Sequence, residues 1–301
     1  MTAESSSQAG VAVVSPRAGV AASGHWTQAW RRFRRDKAAM VGGAIIILMA
    51  LIAVFAPWLA PWDYTQQVMA NRNAAPGGAN LLGTDSLGRD ELSRLMFGAR
   101  ISLAVGLISV GISATLGVLI GAVAGYLGGK TDMALMWVMD LVLAFPQLLL
   151  AITVASALGP SVTNAMIAIG IVGIPGFARQ VRSSVLSIRG QEFVEAARTI
   201  GAGSARIIAL HIVPNVLAVV IVRATASLGF AILTEAGLSF LGLGAQPPDP
   251  SWGGMLNDGR EAIRRASHLT TLPGLCIMVT VLAFNLLGDG LRDALDPRLK
   301  R

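Results

Sequence analysis

Between Leu141 and Ala178 the chain carries no charged residue. A bilayer core about 30 Å thick takes roughly 20 apolar helical residues per crossing, so this run is long enough for two. Backbone polar groups in lipid must be bonded within the structure, which leaves helices or closed barrels. Long apolar runs select helices, and Gly159-Pro160 in the middle supplies a turn between them. Composition agrees: 53% of the 301 residues are hydrophobic and 14% charged, against about a quarter charged in a soluble domain.

The same reading along the chain gives an all-α polytopic membrane protein with six crossings. They are Ala38 to Leu59, Ile101 to Leu127, Met133 to Leu158, Val162 to Phe177, Pro214 to Leu233 and Leu269 to Leu287. Trp58 and Trp62 stand at the far end of the first, as interfacial aromatics do. Six crossings put both termini on one side. With the N-terminus inside, the inner segments hold 16 of the 24 Lys and Arg residues and the outer ones 7, with Arg223 alone inside a crossing. The positive-inside rule therefore makes both termini cytoplasmic, and the net charge of +7 faces the inner leaflet rather than a nucleic acid. Residues 1–24 have no charged region ahead of the short apolar stretch Val11 to Val14, so a disordered tail is expected rather than a signal peptide. Over 25–37, Trp26, Trp30 and Phe33 recur about once per helical turn among Arg31, Arg32, Arg34 and Arg35, which reads as an amphipathic interfacial helix.

Several chemistries are disfavoured. One cysteine, Cys276, builds no disulfide framework within the chain. His25, His211 and His268 have no close metal-ligand spacing. The stretch Ala124 to Thr131, AGYLGGKT, nearly spells a phosphate-binding loop, but such a loop needs a preceding strand. Here Gly117, Gly121 and Gly125 repeat at four-residue spacing on a membrane helix, the pattern of a close-packing face. An intramembrane serine protease could use Ser239 as nucleophile and His268 as base, yet no oxyanion-hole motif accompanies them.

The longest inner loop, 179–210, carries structure of its own. Gln191 to Ile200 reads as a helix with Phe193, Ala197 and Ile200 on one side, and Glu192, Glu195 and Arg198 around the rest. Gly201 is a C-terminal stop, and Ser204 can start the next helix. Ala196 and Ala197 allow close approach to another surface, and Glu195 offers a carboxylate. A docking helix and a plain connector both fit these residues.

Two charges fall inside crossings, where charge is costly and commonly buried or functional. At 1.5 Å per residue Asp140 and Arg223 lie about 10 and 14 Å from the inner surface. They could pair with each other or with another intramembrane partner, Arg223 could face a pathway, or either could reach the interface. On the outer side Gln246 to Trp252, with three prolines, reads as a stiff loop. Trp252 suits an aromatic belt, which favours an interfacial cap over a partner contact. Glu235, near the outer end of the fifth crossing, is expected to be partly buried.

At this point the motifs resemble a family. Glu195-Ala196-Ala197, Gly201 and then His211-Ile212-Val213-Pro214-Asn215 look like the EAA loop of bacterial ATP-binding-cassette importer permeases. Gly83 to Asp90 (GTDSLGRD), Leu238 to Gly244 (LSFLGLG), Pro250 to Gly253 (PSWG) and Asp289 to Pro297 (DGLRDALDP) resemble the dipeptide/oligopeptide/nickel subgroup, in particular its shorter, C-type permease. The match runs from about Trp30 to Leu299. The general importer pattern has an aliphatic residue where His211 stands, whereas His-aliphatic-aliphatic-Pro-Asn is familiar in the peptide subgroup. The resemblance implies a type I importer permease domain over 38–301, moving dipeptides or oligopeptides, or else a nickel chelate or glutathione. It implies as partners a second permease, two cytoplasmic ATPases that hold the ATP and magnesium, and an extracytoplasmic binding protein. No cofactor, metal or catalysis is expected on this chain. Glu195, Ala196, Ala197 and Gly201 then become the coupling helix that docks on the ATPase. That helix is a lever, and Pro214 is a plausible fixed bend where the loop enters the fifth crossing.

Overall fold

The computed structural model describes residues 30–31 and 33–295. The expected tail at 1–24, the start of the expected interfacial helix at 25–29 and the chain after 295 lie outside the described residues. Where the description begins, Trp30 stacks on Phe33 with ring centroids 5.8 Å apart, and Phe33 is buried with Ala39 and Ala294.

Among the described residues the regular structure is helical: α1 Lys37–Leu59, α2 Glu91–Leu127, α3 Gly129–Leu143, α4 Gln147–Leu158, α5 Val162–Ile188, α6 Glu192–Thr199, α7 Ser204–Ile207, α8 Val213–Phe240, α9 Trp252–Gly259 and α10 His268–Leu295. Five helical stretches are long and apolar enough to cross a membrane: α1, α2, α5, the run Ser204–Phe240 and α10. The pair α3 and α4 passes the same test only when taken together, and it is bent by 90° at the break, as a broken span or a re-entrant loop would be. The bend corrects the continuous third crossing expected from Met133 to Leu158. Pro146 has no N–H to donate and disfavours helical backbone at Phe145, so α3 stops and α4 restarts in a new direction.

Helix ends also move outward from the expected boundaries. α2 begins at Glu91 rather than Ile101, because Asp90 caps it: the carboxylate accepts from the Ser93 amide at 2.8 Å and its hydroxyl at 2.7 Å. α5 runs to Ile188 rather than Phe177, so the loop expected from Arg179 starts at Arg189, ten residues on, and α8 runs to Phe240. Charge at these positions ends the apolar stretch but not the backbone hydrogen bonding, since a helix carries its own bonds beyond the lipid. Pro214 sits in the first turn of α8, and the five residues before it, Ile208–Ile212, form a π turn. A proline ring clashes with the carbonyl four residues back, and the wider π register relieves that clash, so the entry to the crossing is a bulge of the kind common at functional sites.

The bundle has two ends. The lower end carries 189–212 together with Asp36, Gly290 and the α2–α3 turn; the upper end carries 60–90 and 241–267. The main core lies between α2 and α5. A Cβ on Gly117 would overlap Phe177, one on Gly121 would overlap the Ala178 carbonyl, and one on Gly125 would stand 2.9 Å from the Val185 Cβ. The glycine repeat is therefore a helix contact. Gly128 and Gly129 adopt φ of +66° and +55° in the tight turn that follows, and Lys130 is exposed.

Candidate functional site

Glu195, Ala196, Ala197 and Gly201 fall on α6 and its stop. Residues three apart share a helix face, and here that face is Val194 and Ala197, both buried with Ile207 and Ile212 in the main core. The expected apolar side of Phe193, Ala197 and Ile200 is therefore split: Ala197 packs inward, whereas Ile200 is 84% exposed. Ala197 serves the chain's own core, and Glu195, Ala196 and Ile200 make the outward surface. No side-chain partner holds Glu195 among the described residues.

Gly201 ends α6 with φ +81°. Its N–H donates to the Arg198 carbonyl at 2.9 Å and the Ala202 N–H donates to the Ala197 carbonyl at 3.0 Å. These are the two bonds of a Schellman stop, which the left-handed residue makes possible. The next helix is capped by Gly203, one residue before the expected Ser204, which lies in its first turn without a side-chain cap.

Two arginines moor this loop to α2, and a third, on the last turns of α5, ties that helix to α3. Arg198 Nε donates to the Tyr126 hydroxyl at 3.1 Å, with the guanidinium 5.0 Å from the ring centroid. Arg189 Nη1 donates to the Gly125 carbonyl at 3.1 Å. Arg182 grips Asp132 through both nitrogens at 2.5 and 2.6 Å, the bidentate geometry that makes such pairs strong. The sequence reading missed all three, since only the antiparallel packing of α2 and α5 brings 125–132 beside 182–198.

The two intramembrane charges do not pair. Asp140 accepts from Arg179 Nη2 at 2.6 Å, and both side chains are more than half exposed. Of the alternatives left open by the sequence, the Asp140–Arg223 pair is not formed, because α5 stays helical past Phe177 and carries Arg179 beside α3. Arg223 instead lies with its guanidinium carbon 5.3 Å from the Phe177 ring centroid, and its Nε is buried without a hydrogen-bond partner. Gly176 leaves the room: a Cβ there would overlap Arg223 Nη2. Arg223 and Ala226 line two cavities at once. One, of about 270 Å³, lies among α2, α5 and α8 with Gln147 at its edge. The other, of about 470 Å³, lies toward the lower end among Gln180, α8 and the last turns of α10.

A polar loop helix moored under a helical bundle, with a charged residue lining two cavities, suits a transport subunit, and comparison with known proteins decides the matter. Residues 117–301 match the binding-protein-dependent transport system inner membrane component. Residues 24–76 match the N-terminal transmembrane domain of oligopeptide transport permease C. The chain belongs to the binding-protein-dependent transport permease family. The permease is 48% identical over 275 residues to the dipeptide transport system permease protein DppC of Alkalihalophilus pseudofirmus, covering 91% of this chain and 90% of that one. It is equally identical over 276 residues to the glutathione transport system permease protein GsiD of Escherichia coli O6:K15:H31, covering 91% of each. Its fold is similar to a structure of the MetNI methionine ABC transporter in inward-facing conformations, with a TM-score of 0.56 and 18% identity, over 67% of this chain and 96% of that one. The permease is thus a multi-pass inner-membrane subunit of the C type within the peptide and nickel ABC importers, and it is not itself an enzyme.

At the upper end of the permease, the GTDSLGRD segment folds into a buried charged staple. Asp85 accepts from the Leu87 and Arg89 amides at 2.9 Å each and from Arg89 Nε at 2.6 Å. Arg94 Nε stands 3.5 Å from the same carboxylate, and Asp258 lies 3.6 Å from both guanidiniums. Burial pushes the Asp258 carboxyl above the usual range, against the pull of Arg94 and Arg89. Two of the arginines read from the sequence as outer-side charge are therefore internally neutralised. Trp252 is not a belt residue: it is 1% exposed, packs on Gly98 and donates its indole N–H to the Leu95 carbonyl at 3.1 Å. A missing Cβ at Gly98 makes the slot that the sequence could not show. Glu235 is fully rather than partly buried and accepts from Ser102 at 3.1 Å and Ser239 at 2.7 Å. Ser239 thus bonds a carboxylate, while His268 packs against Gly83, and no hydrogen bond joins the two.

Proposed function

We propose that this permease forms half of the translocation pathway of an ATP-driven importer of dipeptides or oligopeptides and is coupled to its ATPase through Glu195, Ala196, Ala197 and Gly201. The observation that carries the coupling role is the geometry of α6. Glu195, Ala196 and Ile200 face outward on a helix whose inner face, Val194 and Ala197, is seated in the permease core. A force applied to the outward face is passed to α2 through Arg198 and Tyr126, and to α8 through the short run 204–212. Ala197 acts from inside, as the small residue that lets α6 lie close to Ile207 and Ile212.

The other parts of this reading follow from the charge pattern and from the relatives. The lower end of the bundle, with 189–212, faces the cytoplasm. The partners are a second permease, two ATPases that bind ATP and magnesium, and an extracytoplasmic binding protein. The names of the relatives support peptide cargo, and the glutathione permease supports glutathione, itself a small peptide, as the second candidate. Arg223 faces the pathway, which its place on the lining of two cavities supports.

The test is the subunit composition of the gently solubilised complex by mass, with ATPase stimulation by loaded binding protein compared between wild type and Glu195→Ala plus Gly201→Asp. One similar permease, two ATPases and uncoupling in the variant are expected. Recovery of this chain alone, or full coupling in the variant, would overturn the proposal.

A further inference from the structure

We infer that Arg223 is a checkpoint for carboxylate-bearing cargo, holding the acid group as it passes from the central cavity to the lower one; the inference rests on the importer reading above. Three observations converge on this residue. Arg223 and Ala226 are the residues common to both cavities, so cargo moving between them passes the guanidinium. The guanidinium has no acidic partner among the described residues, since Asp140 is taken by Arg179 and Arg223 Nε makes no hydrogen bond. Its seat is made for it: Gly176 gives up a side chain to admit Nη2, and Phe177 offers a ring face to the cation.

The chemistry follows from that seat. A charge inside a membrane protein is costly unless paired, and a structural arginine would be expected to find its carboxylate within the fold. This one finds only a ring face, worth far less than an ion pair, so it keeps its donors for an acid that is present part of the time. The planar fork matches a carboxylate through two parallel bonds. Among the other polar groups of the central cavity, Ser109, Ser113 and Thr234 are bonded to backbone carbonyls, and Gln147 and Ser227 are uncharged, so Arg223 is the one formal charge on its lining among the described residues. Transit needs binding that is favourable enough to enter and weak enough to leave. The lower cavity carries an acid, Asp289, as well as a base, Arg292, so its lining is of mixed charge and favours release over retention of the acid.

The complete importer, with its partner permease, ATPases and binding protein, would be reconstituted in proteoliposomes. Uptake of a labelled dipeptide and of its C-terminal amide would be measured, each at a concentration that saturates the binding protein. Arg223→Gln should lower uptake of the acid by about 10- to 100-fold, the loss expected for a hydrogen bond to a charged group. Amide uptake and ATPase stimulation should stay within about twofold of wild type. Arg223→Met, which removes the buried charge without leaving a polar group, should behave alike and decides the matter if the glutamine variant does not assemble. Equal loss for acid and amide in an assembled complex, or no loss for either, would overturn the checkpoint while leaving the importer reading intact. A wild-type importer that moves neither compound would overturn the peptide reading and the checkpoint with it.

Discussion

Gly121 and Gly111 lie on the same helix, and replacing each by alanine should move stability in opposite directions. A Cβ at Gly121 would overlap the Ala178 carbonyl oxygen and stand 2.9 Å from the Val181 Cβ, whereas nothing lies within 4 Å of one at Gly111. Carbon atoms pack at about 3.5–4.0 Å, so α2 and α5 must part by roughly 0.5–1 Å, which forfeits a quarter to a half of each dispersion well at about 0.1–0.2 kcal/mol per pair. Applied to the equivalent of one buried leucine, about 40–60 contacts, the loss is about 3 kcal/mol. Alanine regains about 1 kcal/mol over glycine in a helix interior. Gly121→Ala should therefore destabilise by about 2 kcal/mol and Gly111→Ala should stabilise by up to about 1 kcal/mol. The assay is the temperature at which the purified complex loses its monodisperse elution peak. At about 2–4 °C per kcal/mol for a chain of this order, the two variants should separate by several degrees with wild type between them. Shifts of the same sign and similar size would refute the account of α2 and α5 as helices held together by an absent side chain.

Gly201→Ala meets open space but places a Cβ at φ +81°, a strain of about 1–2 kcal/mol; the complex should assemble normally while ATPase stimulation by loaded binding protein falls. Asp85→Asn leaves two buried arginines short of a carboxylate, so a loss of about 3–5 kcal/mol should appear as lower yield and earlier thermal aggregation. Trp252→Phe keeps the ring in the Gly98 slot but removes the bond to Leu95, and should cost about 1 kcal/mol in the same thermal assay. A double-mutant cycle of Asp140→Asn with Arg223→Gln, read as dipeptide uptake, should show additive effects within about 0.5 kcal/mol; strong coupling would restore the ion pair that the geometry denies.

Five of the long apolar helices, the packing face of Gly117, Gly121 and Gly125, and the helix-and-stop character of 191–201 were all legible in the sequence. Each rests on a local property: apolar length against bilayer thickness, four-residue spacing on a helix, and the conformational freedom of one glycine. The buried network at 83–94 was visible only as a family pattern. Its chemistry depends on Asp258, far along the chain, and no spacing rule connects the two.

What the sequence alone determined was therefore where the five long apolar helices run and that a short helix with a glycine stop lies between two of them. Tertiary structure decided the partners: Arg179 rather than Arg223 for Asp140, the core rather than the belt for Trp252, and the inner rather than the outer side of α6 for Ala197. The physical reason is that helix formation and apolar partition are settled over one or two turns of chain. The partner of a charge or a ring is settled by how two helices distant in sequence come into register, and here that register was set largely by glycines whose missing side chains let the helices touch.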